Sequence, residues 1–213
     1  MRTPPKLSDL VPELRSRVLE LTALHGAAFP ERALCLIWGL RSVQEQRAAY
    51  AAGRSKIDGV KRHSLHAYGL AADLWVYTGD QPECHKLYEG RPTRSAGLQL
   101  QLRRGALREF YRPMGALARE VGLESGAFWR MGDGPHVQIE KIGRFKILQA
   151  ALGAAGYSPG PVDGKPGKRT LAAIEAAGKD ADLPWEVSWR ARRLFPIPPE
   201  LWAWVRTQAA GIA

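Results

Sequence analysis

The sequence predicts an α+β fold, in which a small, mainly antiparallel sheet is flanked by helices and followed by a small helical module. Short apolar or alternating segments at 34–38, 70–77 and 136–139 are typical of strands. Two longer segments repeat their apolar residues with the spacing of a helix. Because the composition then shifts to Ala, Gly and Pro, we predict two domains, 1–142 and 143–213.

The N-terminal region predicts a helix and then a strand. The helix begins near Leu7, with Ser8 as its N-cap, because the following apolar residues recur at helical spacing. The short apolar run before Gly39 predicts a buried strand with Cys35 in the core. Two cysteines are too few for a disulfide framework, and we expect both Cys35 and Cys84 to be reduced.

The next two helices are marked by their ends. Ser42 and Glu45 form a capping box that opens a helix closed by Gly53. Arg41 therefore lies between a strand and a helix, where side chains often face a cleft. A long helix is predicted over 98–121, ending just before a glycine and kinked by a proline.

Two alternating strands carry polar side chains on one face. In the strand at 70–77, Asp73 lies away from the more apolar face. In the strand at 136–139, His136 and Gln138 share one face. Both strands can therefore present chemical groups beside an apolar core.

The C-terminal tail ends in a helix predicted over 198–208. We favour packing of its aromatic side chains in the core, and the alternative is contact with an anionic surface through Trp beside Arg. The tryptophans of the tail are Trp185, Trp189, Trp202 and Trp204.

The charge of the chain indicates its possible partners. Lys and Arg number 31 against 21 Asp and Glu, which gives a formal net charge of +10. Such a charge attracts nucleic acid, anionic lipid or bacterial wall polymer, or it serves solubility alone. We expect no nucleic-acid partner, because no recognition helix, zinc finger or aromatic RNA-binding motif is present in the sequence. We also expect no transmembrane segment and no signal peptide, since no apolar stretch is long enough.

One motif carries most of the chemistry. The stretch SLHAYGLAAD matches S-x-H-x-x-G-x-A-x-D, and DGPH supplies a D-x-x-H that enters a strand. A catalytic zinc ion takes three nitrogen or oxygen ligands and keeps one position for water. His66, Asp73 and His136 supply that set, and a carboxylate outside it can accept the proton of the water. Asp133 is the candidate for this base, and its alternative role is to form a turn before Gly134.

The same segments resemble a known family. SLHAYGLAAD, DGPHVQ and the upstream GLRSVQEQ resemble the zinc peptidases that include D-alanyl-D-alanine carboxypeptidases and L-alanyl-D-glutamate endolysins. The resemblance covers residues 7–139. It implies that His66, Asp73 and His136 bind Zn²⁺ in a cleft and that Asp133 is the catalytic acid or base.

The resemblance also implies roles for residues around the zinc cleft. Arg41 would position the substrate or stabilise the oxyanion, while Ser64 and Gln44 would line the substrate site. The alternative for Arg41 is a surface arginine beside a helix cap. We expect a hydrolase of peptidoglycan stem peptides, an endolysin that cuts between L-alanine and D-glutamate. The alternatives are a D-alanyl-D-alanine carboxypeptidase and a non-catalytic wall-binding protein with a structural zinc ion.

The C-terminal segment LQAALGAAGYSPGPVDGKPGKRTLAAIEA resembles the first part of a peptidoglycan-binding repeat. The residues that match the repeat are Leu148, Gln149, Leu152, Gly156, Tyr157, Asp163, Gly164, Gly167 and Thr170. This likeness implies a wall-targeting module, and the alternative is a helical cap on the catalytic domain.

We expect a monomer that is made in the host cytoplasm and acts in the periplasm or cell wall after release.

Overall fold

The computed structural model describes residues 5–53, 55, 57–59, 63–79, 81–82, 97–130, 132–183 and 197–211. It is a mixed α and β structure, as predicted, with a small antiparallel sheet. Short 3-10 helices occupy Leu7–Asp9, Leu65–Tyr68 and Gly126–Phe128. In chain order the other elements are α1 (Pro12–Ala28), β1 (Ala33–Trp38), α2 (Val43–Ala51), β2 (Ala71–Thr78), β3 (Gln81–Pro82), α3 (Gly97–Glu120), β4 (Leu123–Ser125), β5 (His136–Ile139), α4 (Lys141–Ala154), α5 (Lys168–Asp180) and α6 (Pro199–Gly211).

The chain forms two compact units. The first unit comprises Met1–Leu40 and Gly69–Ile139, and the second comprises Arg41–Tyr68 and Glu140–Ala213. The second unit thus takes a segment from the first half of the chain as well as the C-terminal helices. The division into a catalytic domain and a wall-targeting module stays a prediction.

The sheet of the first unit has the strand order β1-β2-β5-β4, and the short β3 pairs with the end of β2. All its pairs are antiparallel. The three strands predicted from the sequence are confirmed, whereas β3 and β4 were not predicted because two or three residues show no periodicity. β1 ends the strand order, so its predicted burial is only partly correct: Leu34 is buried and Cys35 is half-buried. Cys84 lies outside the described residues.

The first helix begins later than predicted. Ser8 belongs to the 3-10 helix Leu7–Asp9, and α1 starts at Pro12. Proline suits this first position, because the N–H that it lacks would have no partner within the helix. Apolar side chains at helical spacing then face the core, and the buried ones are Leu14, Val18 and Leu21.

The long helix α3 is confirmed, with Pro113 inside it. Gly122 follows it with φ +72°, a left-handed conformation that glycine adopts without strain. Arg17 donates a hydrogen bond to the carbonyl of Gly122. Gly115 lets α3 approach the next segment closely, because an added Cβ would lie 2.9 Å from Oγ of Ser125. The helix therefore supports the short strand β4 and the 3-10 helix after it.

The second unit contains α4, α5 and α6. Gln149 of α4 is buried and holds the loop before α5: its Oε1 accepts from the Gly164 N–H at 2.8 Å. Its Nε2 lies 3.3 Å from Oδ1 of Asp163 and 3.4 Å from Oγ1 of Thr170. Thr170 in turn donates to the carbonyl of Pro159 at 2.8 Å. Gln149 thus links Asp163, Gly164 and Thr170 of the repeat-like segment.

The tail forms α6, three residues longer at its C-terminal end than predicted. The indole of Trp202 is buried, as core packing requires, whereas Trp204 is half-buried against Tyr157 with ring centroids 6.3 Å apart. Trp185 and Trp189 lie outside the described residues. Within the described part of the chain, no helix is both long and apolar enough to cross a bilayer.

Candidate metal centre

Two of the predicted ligands face each other across paired strands. Asp73 of β2 and His136 of β5 are direct partners in the antiparallel register. Side chains of directly opposed residues lie on the same face of a sheet. The N–H of Leu74 donates to the carbonyl of Pro135 at 2.9 Å, which fixes the register beside this pair.

The third predicted ligand, His66, lies on the 3-10 helix Leu65–Tyr68. Its N–H donates to Oγ of Ser64 at 3.4 Å, and its carbonyl accepts from the Arg41 N–H at 3.1 Å. Gly69 then turns the chain into β2 with φ +66°, and a Cβ there would lie 2.7 Å from the Asp9 carbonyl oxygen. The glycine of the sequence motif is therefore needed for the backbone path from His66 to Asp73.

The three residues form a group that can hold a metal ion. Each offers one ligand atom, and these atoms all lie within 4.8 Å of one another. His66 and His136 are 3% and 7% exposed. Nδ1 of His136 lies 3.1 Å from Oδ1 of Asp73. Two ligands bound at about 2.0–2.1 Å to a tetrahedral ion lie about 3.3 Å apart, so this separation suits a shared ion.

The other ring nitrogen of His136 is held by a chain of polar side chains. Its Nε2 lies 3.1 Å from Oε1 of Gln138, and Nε2 of Gln138 donates to Glu124 at 2.6 Å. The indole of Trp129 also donates to Glu124, at 3.3 Å. Because the amide oxygen only accepts, it selects the form of His136 with a proton on Nε2. The lone pair of a neutral ring is then on Nδ1, the nitrogen beside Asp73.

The charges around His136 raise its pKa. Burial by itself lowers the pKa of the ring, but the hydrogen bond and the negative charge of Asp73 outweigh it. The charge of Asp133 and the hydrogen bond that Nε2 of His136 donates to Gln138 raise the pKa further. The same negative charges favour a bound cation.

Asp133 lies next to this group. Its carbonyl accepts from the His136 N–H at 3.2 Å, and its own N–H donates to the Gly126 carbonyl at 3.1 Å. Gly126 has no room for a Cβ, because the Asp133 backbone occupies that space. The half-buried side chain acts on His136 through its charge and is not one of the three grouped ligands. The role of Asp133 as a catalytic base stays a prediction.

The other predicted site residues lie around α2 and the 3-10 helix. Arg41 is half-buried and donates to Oε1 of Gln46 at 3.1 Å. Gln46 is buried and also donates to Ser55 and to the Ile57 carbonyl, at 2.8 and 2.6 Å. Ser64 is buried beside His66, whereas Gln44 is exposed on α2. The substrate roles of Arg41, Ser64 and Gln44 stay predictions.

Sequence reasoning missed the polar residues that support the site. Gln138 shares a face with His136 by simple alternation, so its position was predictable although its role was not. Glu124, Trp129 and Gln46 reach their partners through tertiary contacts that leave no periodic signal. No protein-family model matches the chain. The resemblance to zinc peptidases therefore stays a prediction from the sequence motifs.

Proposed function

We propose that the chain is a zinc-dependent peptidase that hydrolyses stem peptides of bacterial peptidoglycan and cuts between L-alanine and D-glutamate, as an endolysin does. The observation that carries this proposal is the group formed by His66, Asp73 and His136, with ligand atoms within 4.8 Å of one another. These residues also occupy the ligand positions of motifs that resemble those of zinc peptidases. Geometry and motif thus support the same chemistry.

Zinc fits the donor set, because two imidazoles and one carboxylate are a common ligand set of catalytic zinc sites. When bound, the ion lowers the pKa of a water molecule and polarises the carbonyl of the scissile bond. The Asp73 side chain keeps 18% of its surface exposed, so solvent can reach the group from its side.

Asp133 is the proton-transfer group of the proposed reaction. A carboxylate near the attacking water accepts its proton and then donates it to the leaving amine. Two observations support this role: the backbone of Asp133 is fixed by Gly126, and its charge acts on His136. A fixed backbone limits the region that the carboxylate can occupy, which favours proton transfer.

Arg41 is the proposed group for the developing negative charge on the substrate carbonyl. Its guanidinium is oriented by Gln46, and its backbone N–H holds the His66 carbonyl. A preorganised cation costs little reorganisation when charge develops in the transition state. Ser64 and Gln44 complete the proposed substrate site.

Wall attachment is proposed for the C-terminal module together with the net charge of +10. Anionic wall polymers are attracted by such a charge at long range. Gln149 and Thr170 are buried and bonded to each other, so direct contact with the wall falls to exposed residues of this module.

The test is incubation of the purified protein with peptidoglycan, followed by mass spectrometry of the released peptides. We expect new termini at the bond between L-alanine and D-glutamate, loss of cleavage on chelation and recovery with zinc. Release of terminal D-alanine alone would instead assign a carboxypeptidase. Cleavage indifferent to chelators would contradict the metal mechanism, and zinc binding without cleavage would favour the wall-binding alternative.

A further inference from the structure

The 3-10 helix that carries His66 is held by the C-terminal helix of the same compact unit. The indole Nε1 of Trp202 donates to the carbonyl of Tyr68 at 2.9 Å. The hydroxyl of Tyr68 donates to the carbonyl of Ile197 at 2.8 Å. Tyr68, Trp202 and Ile197 are all 2% exposed or less. The two hydrogen bonds are therefore shielded from water.

These bonds fix the position of the 3-10 helix and its direction. The Tyr68 carbonyl is at the end of the helix, where carbonyl groups need partners from outside. The Tyr68 hydroxyl is at the far end of a rigid side chain. Because the two bonds act at opposite ends of one residue, they restrict both sliding and rotation of the helix.

His66 lies two residues before Tyr68 on this short helix. On its other side the helix is fixed through Ser64 and Arg41, which bond the main chain of His66. Rotation of so short a segment moves the imidazole directly, and a misplacement of about 1 Å is costly at a metal or catalytic site. The hydrogen bonds of Tyr68 therefore help to fix the position of His66.

We infer that Trp202 and Tyr68 are positioning residues that hold His66 ready to bind the metal ion, so that α6 completes the metal centre. The inference rests on the metal centre of the proposed function. It assigns to the Trp-containing tail a role in zinc affinity that is separate from wall binding.

The test compares full-length variants by competition with a zinc chelator. Trp202→Phe removes the indole donor and keeps an aromatic ring, while Tyr68→Phe removes the hydroxyl alone. Trp204→Phe is the matched control, because Trp204 lies on the same helix against Tyr157. We expect the zinc dissociation constant to rise about tenfold in the first two variants, as for other partners that orient ligands. The control should stay within about twofold of the wild type.

The readout separates positioning from stability. The zinc affinity of each variant is measured well below its melting temperature, and circular dichroism checks that the variant is folded. The absorption spectrum of the Co²⁺ form should change in Trp202→Phe and Tyr68→Phe. Wild-type zinc affinity and an unchanged Co²⁺ spectrum in both, even with a lower melting temperature, would overturn the inference. If Trp202→Phe does not fold, the zinc affinity and the Co²⁺ spectrum of Tyr68→Phe decide whether the inference holds. A wild-type chain that binds no zinc would overturn the metal centre itself, whereas the peptidase activity is tested separately by the peptidoglycan digest.

Discussion

The two ring nitrogens of His136 face different partners, and this division decides which of them can bind a metal ion. Nε2 faces the amide oxygen of Gln138, which Glu124 orients, whereas Nδ1 faces Asp73. A ring held in this way enters the metal site with one tautomer and one orientation. The ligand therefore needs little rearrangement on binding.

At the residue scale, the role of Asp133 can be separated from metal binding. We expect Asp133→Asn to lower kcat at least about 100-fold, since general acid–base catalysis contributes about 10²–10⁴-fold, while zinc content stays at one ion per chain. Rates on soluble stem peptide and metal analysis measure the two effects. Asp182→Asn is the matched control, because Asp182 is exposed with φ 50°, a conformation that Asn tolerates. Wild-type turnover in Asp133→Asn would return that residue to the turn-forming role.

His136 also gives the metal-free chain a pH-dependent stability. Its folded-state pKa is raised above the ordinary 6.5, so the folded chain binds this proton more tightly than the unfolded chain. The stabilisation is full below pH 6.5 and is lost as the pH rises through the folded value. With a chelator present, the difference in unfolding free energy between wild type and His136→Gln should therefore shrink as the pH rises above 6.5.

Urea titrations at several pH values measure that difference. Zinc provides the internal control, because a bound ion displaces the proton and stabilises the fold more as the pH rises. A wild-type advantage that stays constant with pH in chelator would contradict the linkage.

The three residues of the candidate metal group could be predicted from the sequence because each lies in a motif with fixed spacing. His66 and Asp73 are joined by one short backbone turn, and His136 begins a strand with clear alternation. Glu124 could not be predicted, because it reaches Gln138 through strand pairing between β4 and β5. Local sequence motifs thus predict the residues of the candidate metal group better than they predict the residues that orient them.

At the element scale, the loop between α4 and α5 depends on one buried amide. Gln149 accepts from Gly164 and donates towards Asp163 and Thr170. The hydrogen bonds from the Lys165 N–H and from Gln149 lower the pKa of Asp163, so its carboxylate stays charged as an acceptor. Fixed motif positions of the repeat-like segment are therefore explained by the structure of the loop.

Replacing that amide should destabilise the second unit. Gln149→Ala leaves a buried N–H without its acceptor, and we expect a loss of about 1–3 kcal/mol in the free energy of unfolding. Chemical denaturation measures it, with Gln208→Ala, a half-buried glutamine on α6, as the control expected within about 0.5 kcal/mol of wild type. A loss no larger than that of the control would mean that the loop does not need the amide.

Elements were predicted where periodicity is long and misjudged where tertiary context decides. The 3.6-residue spacing gave α3 and the alternation gave β5, whereas α1 began at Pro12 instead of Ser8. There, the capping preference of Ser8 is outweighed by Pro12, which starts the helix at its own position. The half-burial of Cys35 follows from the position of β1 at the end of the strand order, which the apolar run itself does not reveal.

At the scale of the whole molecule, the sequence predicted a domain boundary near residue 142. It did not predict which segments of the chain form each compact unit. The second unit includes Arg41–Tyr68, whose last residue bonds to Ile197 and Trp202. Those bonds join residues more than a hundred positions apart. Composition along the chain carries no signal for such contacts.

We expect the net charge to make the proposed wall association dependent on salt. A charge of +10 acts over roughly a Debye length, which falls from about 10 Å at 0.1 M salt to about 3 Å at 1 M. We expect co-sedimentation with sacculi that carry anionic polymers to fall across this range. Removing those polymers should lower binding at low salt and have little effect at high salt. The zinc affinity of the buried group should change far less with salt than the wall binding does, because buried charges are screened least. Binding that is indifferent to salt and to polymer removal would instead indicate recognition of the wall through uncharged contacts of the C-terminal module.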